Sequence, residues 1–91
     1  MQDVHHATVF FSGRVQGVGF RYAALQVARE FEVTGYVSNL SDGRVQLEAE
    51  GRQREVEDFI AAVEKKMDGY VRTVERRSGR RRAQFSGFVI Q

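Results

Sequence analysis

The 91-residue chain contains no cysteine and no proline, and it nowhere approaches the run of about 18 apolar residues that a membrane-spanning helix needs. Each absence removes a class of protein. Without cysteine there is no disulfide framework, no thiolate metal site and no cysteine nucleophile, so the core is held by packing alone and a reducing, cytoplasmic setting is expected. Met1–Ala7 carries Asp3, His5 and His6 but neither a basic patch nor an apolar stretch of leader type, so secretion is not expected. His5 and His6 are the only histidines, and adjacent side chains on a strand point to opposite faces, so a regular strand cannot bring both to one ion. No metal and no other cofactor is expected.

A chain of this length buries roughly 60 to 65% of the surface its unfolded form exposes, enough for one core and too little for two. Residues 1–91 are therefore read as a single domain, with a monomer as the default. The net charge of +2 is unevenly spread. Arg72–Arg82 holds six arginines and one glutamate, net +5, while the other eighty residues hold 8 basic against 11 acidic side chains, net −3. No aromatics interleave with that basic run, so it reads as a solvated hairpin rim rather than a nucleic-acid surface, with at most a weak pull on small anions.

Periodicity gives the order of elements. Ala7–Val15 places Ala7, Val9, Phe11 and Val15 on one face at period two, which predicts a strand. Gln16–Phe20 supplies Gly17 and Gly19, after which Phe20, Ala24, Val27 and Phe31 follow helical spacing, with Gly35 as a helix stop. Tyr36–Asn39 is a short second strand, Leu40–Gly43 a hairpin turn with an Asp-Gly pair, and Val45, Leu47 and Ala49 alternate with Arg44, Gln46, Glu48 and Glu50 in a third strand with one wet face. Val56, Phe59, Ile60, Val63 and Met67 form the stripe of a second helix over Arg54–Met67. Tyr70–Glu75, where a bulge is expected, and Phe85–Ile90 read as closing strands joined around Ser78-Gly79. The order β-α-β-β-α-β plus a last strand predicts an α+β, ferredoxin-like sandwich, with two helices on one face of a mainly antiparallel four- to five-stranded sheet.

That order has a geometric corollary. A β-α-β crossover returns the second strand in the direction of the first, so the glycine loop after strand one and Asn39 at the end of strand two share one edge of the sheet. Gln16-Gly17-Val18-Gly19-Phe20-Arg21 leads into a helix whose first-turn amides lack partners, and such amides, with the helix dipole, favour an anion. Glycines let the amides curl inward to hold phosphate or carboxylate oxygens, and Arg21 can add a charged fork. Two glycines after a strand also serve a plain tight turn, and the segment is neither a Walker motif nor a full Gly-x-Gly-x-x-Gly fingerprint. Arg21 has a bland use too, in a salt bridge to Glu30 or Asp42. An arginine at a helix N-terminus nevertheless opposes the dipole by a few tenths of a kcal/mol unless an anion compensates. Asn39 beside a turn commonly bonds its own backbone.

Gly13-Arg14-Val15-Gln16-Gly17-Val18-Gly19-Phe20-Arg21 resembles the acylphosphatase signature without a gap. Gly35-Tyr36-Val37-Ser38-Asn39 with Asp42-Gly43-Arg44-Val45 resembles the family's second block, and Phe85–Ile90 its final strand, so the resemblance covers essentially the whole chain. It implies a ferredoxin-like hydrolase that splits carboxyl-phosphate anhydrides into carboxylate and inorganic phosphate without metal or covalent intermediate. By that resemblance Arg21 binds the phosphate, the amides of Gln16, Gly17, Val18, Gly19 and Phe20 cradle it, and Asn39 orients the attacking water. Leu40 and Ser41 stand where many relatives place a hydroxyl beside the asparagine, which leaves Ser41 between a site role and a turn role.

The principal alternative is a non-catalytic module that binds phosphate-bearing ligands or RNA. An RNA-recognition fold shares the element order but requires stacking aromatics on the open sheet face. Strand three offers Arg44, Gln46, Glu48 and Glu50 there, and only Phe10 on strand one could serve, so no nucleic-acid partner is expected. Glu48 and Glu50 read as a solvated strand face rather than a catalytic pair.

Overall fold

A computed structural model describes residues 3–91, so the first two residues of the expected 1–91 domain lie outside it. Its elements are β1 (Asp3–Gly13), α1 (Phe20–Ala28), β2 (Val33–Asn39), β3 (Val45–Gly51), α2 (Gln53–Lys66), β4 (Val71–Arg82) and β5 (Phe88–Ile90). The five strands form one sheet in the order β4-β1-β3-β2-β5. β3 runs antiparallel to both β1 and β2, and β5 runs parallel to β2. β1, β2 and β5 therefore point the same way, and their C-terminal ends meet at one edge.

The helices cover one face because their apolar stripes are one-sided. Phe20, Ala24 and Val27 of α1 and Val56, Phe59, Ile60 and Val63 of α2 are buried in a single cluster with Val9, Phe11, Val37 and Leu47 of the strands. Each fully buried side chain of this kind contributes roughly 1.5–3 kcal/mol relative to exposure. The expected bulge is present: the β1–β4 register slips between Ser12 and Gly13, leaving Arg72 without a cross-strand partner. No helix among the described residues is long and apolar enough to cross a membrane.

The structure departs from the sequence reading in several places. Ser78 and Gly79 make no turn; they lie inside β4, paired with Ala7 and His6, because β1 begins at Asp3 and offers a long partner. The Arg72–Arg82 run is thus an edge strand rather than a hairpin rim, which suits an edge that has to discourage pairing with other chains. The final strand shrinks to Phe88–Ile90. Gly35 stops no helix: α1 already ends at Ala28, and Gly35 sits within β2, where a Cβ would fall 1.8 Å from the Glu48 carbonyl oxygen, so only glycine allows that strand contact.

Glu50, finally, is not solvated. It is 1% exposed on the sheet face away from the helices. Gln84 and Phe85 donate their backbone N–H groups to its Oε1 at 2.8 and 3.1 Å, and Arg81 donates Nε to Oε2 at 2.8 Å. Nearby, Tyr36 donates its hydroxyl to Glu48 Oε2, and His6 Nε2 lies 2.7 Å from Glu48 Oε1. Phe85 packs edge-on against Tyr36 at 5.7 Å, and the Arg81 guanidinium lies over its ring at 5.4 Å. The segment between β4 and β5 therefore folds back over part of the face expected to be wet.

Candidate active site

The glycine loop is shaped by two backbone conformations. Gly17 and Gly19 have φ of 76° and 79°, and a Cβ at either would meet open space, so it is the left-handed backbone and not crowding that calls for glycine. Gly19 is the N-cap of α1 and provides no side-chain cap, and the first turn holds no acidic residue. The Gly19 carbonyl accepts the Ala23 amide at 2.9 Å, but among the described residues the amides of Gln16–Tyr22 find no acceptor. Such groups retain their full capacity for an anion.

Gln16 fixes the loop to the neighbouring hairpin. Its Nε2 donates to the carbonyls of Leu40 at 2.7 Å and Arg44 at 3.0 Å. The hairpin is closed by Leu40 N–H to Arg44 O at 2.8 Å and Gly43 N–H to Leu40 O at 3.2 Å. Asp42 binds the Arg44 backbone amide and guanidinium, and those two hydrogen bonds, the backbone one foremost, lower its pKa. Asn39 closes β2 opposite Val45.

Between loop and hairpin lies an open cleft of about 320 Å³ lined by Val15, Gly17, Gly19, Phe20, Arg21, Tyr22, Asn39 and Ile90. Of the residues singled out by sequence, it gathers Gly17, Gly19, Phe20, Arg21 and Asn39. Gln16 and Val18 stay outside the lining; Gln16 spends its side chain on the hairpin and Val18 packs against the core. Tyr22 and Ile90 were not foreseen. Tyr22 follows Arg21 on the first turn of α1, while Ile90 arrives from the far end of the chain because β5 pairs with β2, Ile90 opposite Val37. Only the return of the last strand beside β2 could have announced it.

The polar groups of the cleft lack protein partners. Arg21 makes no ion pair among the described residues: Asp42 is engaged by Arg44, and Glu30 forms no bridge. Among the described residues, three buried side-chain polar atoms make no hydrogen bond: His5 Nε2, Arg81 Nη2 and Asn39 Oδ1. His5 Nε2 still sits 3.2 Å from Glu57 Oε2, and Arg81 Nη2 2.8 Å from Glu50 Oε2, within charge-pairing reach although not aligned as hydrogen bonds. Asn39 Oδ1 alone has neither. A buried carbonyl oxygen left so costs about 1–3 kcal/mol, a deficit that a bound donor removes.

The rival sites fare differently. His5 faces Glu57 of α2 and His6 faces Glu48 across the sheet, on opposite faces as adjacent strand residues must be. On the open sheet face Phe10 is capped by the Arg44 guanidinium at 4.7 Å, and Tyr36 is held by Glu48 and Phe85, so neither ring offers a free stacking platform.

The sequence model of the acylphosphatase family matches residues 7–90. An acylphosphatase of Archaeoglobus fulgidus is 51% identical over 55 residues, 60% of this chain and 62% of that protein. One from Roseiflexus sp. is 49% identical over 61 residues, 67% of this chain and 66% of that one, so the alignments take in just under two thirds of either relative. The crystal structure of acylphosphatase from Bacillus subtilis superposes with a TM-score of 0.88 at 32% identity, covering 96% of this chain and 98% of the other. The structure of an acylphosphatase from Coxiella burnetii gives 0.83 at 29% identity, covering 98% and 93%.

Proposed function

The chain belongs to the acylphosphatase family, and from that premise we propose that it is an acylphosphatase, hydrolysing carboxyl-phosphate anhydrides to carboxylate and inorganic phosphate as a monomeric, cytoplasmic enzyme that needs no metal, with residues 1–91 as one domain. One observation carries the reading: unpartnered loop amides, an arginine without an acidic partner and an unsatisfied asparagine oxygen share one cleft. In this reading the amides of Gln16–Phe20 and the Arg21 guanidinium hold the phosphoryl oxygens. Asn39 holds a water in line with the scissile P–O bond. The water oxygen bonds to phosphorus as the bond to the acyl oxygen breaks, its proton passes to a phosphoryl oxygen, and the carboxylate leaves with the electron pair. A good leaving group makes a strong base unnecessary, so positioning and charge stabilisation suffice.

The test is phosphate release from benzoyl phosphate in the presence of a chelator, for the wild type, Arg21→Ala and Asn39→Ala. Each substitution is expected to cost on the order of 3 kcal/mol, roughly a hundredfold or more in kcat/KM. Full activity in both variants would mean that the chemistry happens elsewhere.

A further inference from the structure

Among the described residues the exposed large hydrophobic side chains are Tyr22, Tyr70, Val89 and Ile90. Two of these four, Tyr22 at 59% and Ile90 at 39% exposure, line the same cleft as Arg21 and Asn39. A site that held phosphate alone would have no use for them. The floor beneath is apolar as well, formed by the buried Val15 and by Phe20, whose ring packs against Phe11 at 4.9 Å between centroids. The cleft therefore has two unlike parts: a polar one of glycine amides, Arg21 and Asn39, and an apolar one of Val15, Phe20, Tyr22 and Ile90.

The apolar part is held in place by backbone bonds. Ile90 pairs with Val37 of β2, the Gln91 amide donates to the Val37 carbonyl at 2.9 Å, and the Gly35 amide donates to the Gly87 carbonyl at 2.8 Å. The strand's approach is anchored by Glu50, through the amides of Gln84 and Phe85 and the Arg81 side chain. Tyr22 is fixed by the first turn of α1. Charge bears on the choice of ligand too, because Arg21 is the only charged residue in the lining. Once it is engaged by phosphate, no cation remains for a second negative group.

We propose that Tyr22 and Ile90 select the acyl half of the substrate, so that acyl phosphates with an uncharged, ring-sized apolar acyl group are taken in preference to small ones such as acetyl phosphate and to those bearing a second carboxylate, such as succinyl phosphate. This rests on the acylphosphatase reading of the same cleft. Contacts to a non-reacting group act about equally on bound substrate and transition state, so the preference lies in KM more than in kcat. Burying a phenyl rather than a methyl group against such a wall is worth about ten- to a hundredfold in kcat/KM.

The experiment compares kcat and KM for benzoyl, acetyl and succinyl phosphate in the wild type, Tyr22→Ala, Tyr22→Phe and Ile90→Ala, with inhibition by inorganic phosphate measured in each. Dividing each variant's benzoyl-to-acetyl ratio by that of the wild type cancels the unequal intrinsic reactivities of the two anhydrides. Tyr22→Ala is expected to lower that ratio about tenfold, through KM for benzoyl phosphate, and Ile90→Ala about threefold. Tyr22→Phe keeps the ring and should restore it. Succinyl phosphate should be the poorest substrate of the wild type. Equal losses on benzoyl and acetyl phosphate in Tyr22→Ala, with phosphate still inhibiting, would overturn the proposal while leaving the catalytic reading intact. Failure of the catalytic reading looks different: Arg21→Ala would retain activity on all three substrates and phosphate would not inhibit. Should Ile90→Ala not fold, the exposed Tyr22 pair decides alone.

Discussion

The open face of the sheet and the cleft at its edge both carry polar groups, yet they handle them in opposite ways. On the open face Glu50 accepts from Gln84, Phe85 and Arg81, and Glu48 accepts from Tyr36 and His6, so each carboxylate is matched by donors from elsewhere in the chain. At the cleft the loop amides, the Arg21 guanidinium and Asn39 Oδ1 find no such match among the described residues. The two helix starts repeat the contrast. α2 has Glu55 in its first turn, where the carboxylate complements the dipole and also accepts the Glu32 amide at 2.8 Å; α1 has no acid there, and Arg21 instead. Polar residues that satisfy one another hold the fold, and those left without partners retain the capacity to bind a ligand.

Substitutions on either side should separate activity from stability, and the largest separation is at Arg21. Arg21→Ala should lower kcat/KM on benzoyl phosphate by a hundredfold or more, yet raise unfolding stability by a few tenths of a kcal/mol, because a cation opposed to the α1 dipole is gone. Matched kinetics and urea melts check both signs; a destabilised Arg21→Ala would show that the guanidinium has a structural partner after all. Glu50→Ala should do the reverse. It takes from Arg81 its nearer carboxylate, leaving Glu48 at 3.6 Å, and removes the acceptor of the Gln84 and Phe85 amides, at a cost of about 2–3 kcal/mol in a denaturation curve. Wild-type stability in that variant would show that the hydrogen bonds of the open face do not hold the fold.

Smaller effects sharpen it. Gly19→Ala meets no atoms but must hold a positive φ, so about 1–2 kcal/mol of stability should be lost and inhibition by inorganic phosphate weakened as the amides re-aim. At Glu48 burial pushes the pKa up, but the hydrogen bonds from Tyr36 and His6 and the charges of His6 and Arg81 outweigh it, so the carboxyl titrates below its ordinary 4.5. A depressed carboxylate stabilises the fold at neutral pH, and that stabilisation disappears as pH falls from 4.5 through the lowered value. Glu48→Gln should therefore flatten the acid limb of a pH–stability profile.

How far the sequence led depended on whether the decisive contact was local. The alternation of Val45, Leu47 and Ala49 and the Val56–Met67 stripe were legible because the period itself states which face is covered. The meeting of the glycine loop with Asn39 was legible for a topological reason, since a crossover aligns the ends of both strands, and the family resemblance supplied the roles. Ser78-Gly79 misled because turn chemistry at two positions was outweighed by eleven residues of β1 waiting for a partner. Glu50 misled because its alternation is indeed outward, and the partners that bury it lie 31 to 35 residues away. Tyr22 and Ile90 went unseen as a pair since nothing in either neighbourhood refers to the other.

The Gln16 side chain spans 24 residues of sequence to reach Leu40 and a few more to reach Arg44. Loop and hairpin are thereby indexed to each other like two jaws pinned on one rivet. The distance from the glycine loop to the hairpin that follows Asn39 is accordingly set by the chain's own hydrogen bonds. If the proposed hydrolysis holds, loosening that pin should lower its rate even though the Gln16 side chain stands outside the cleft.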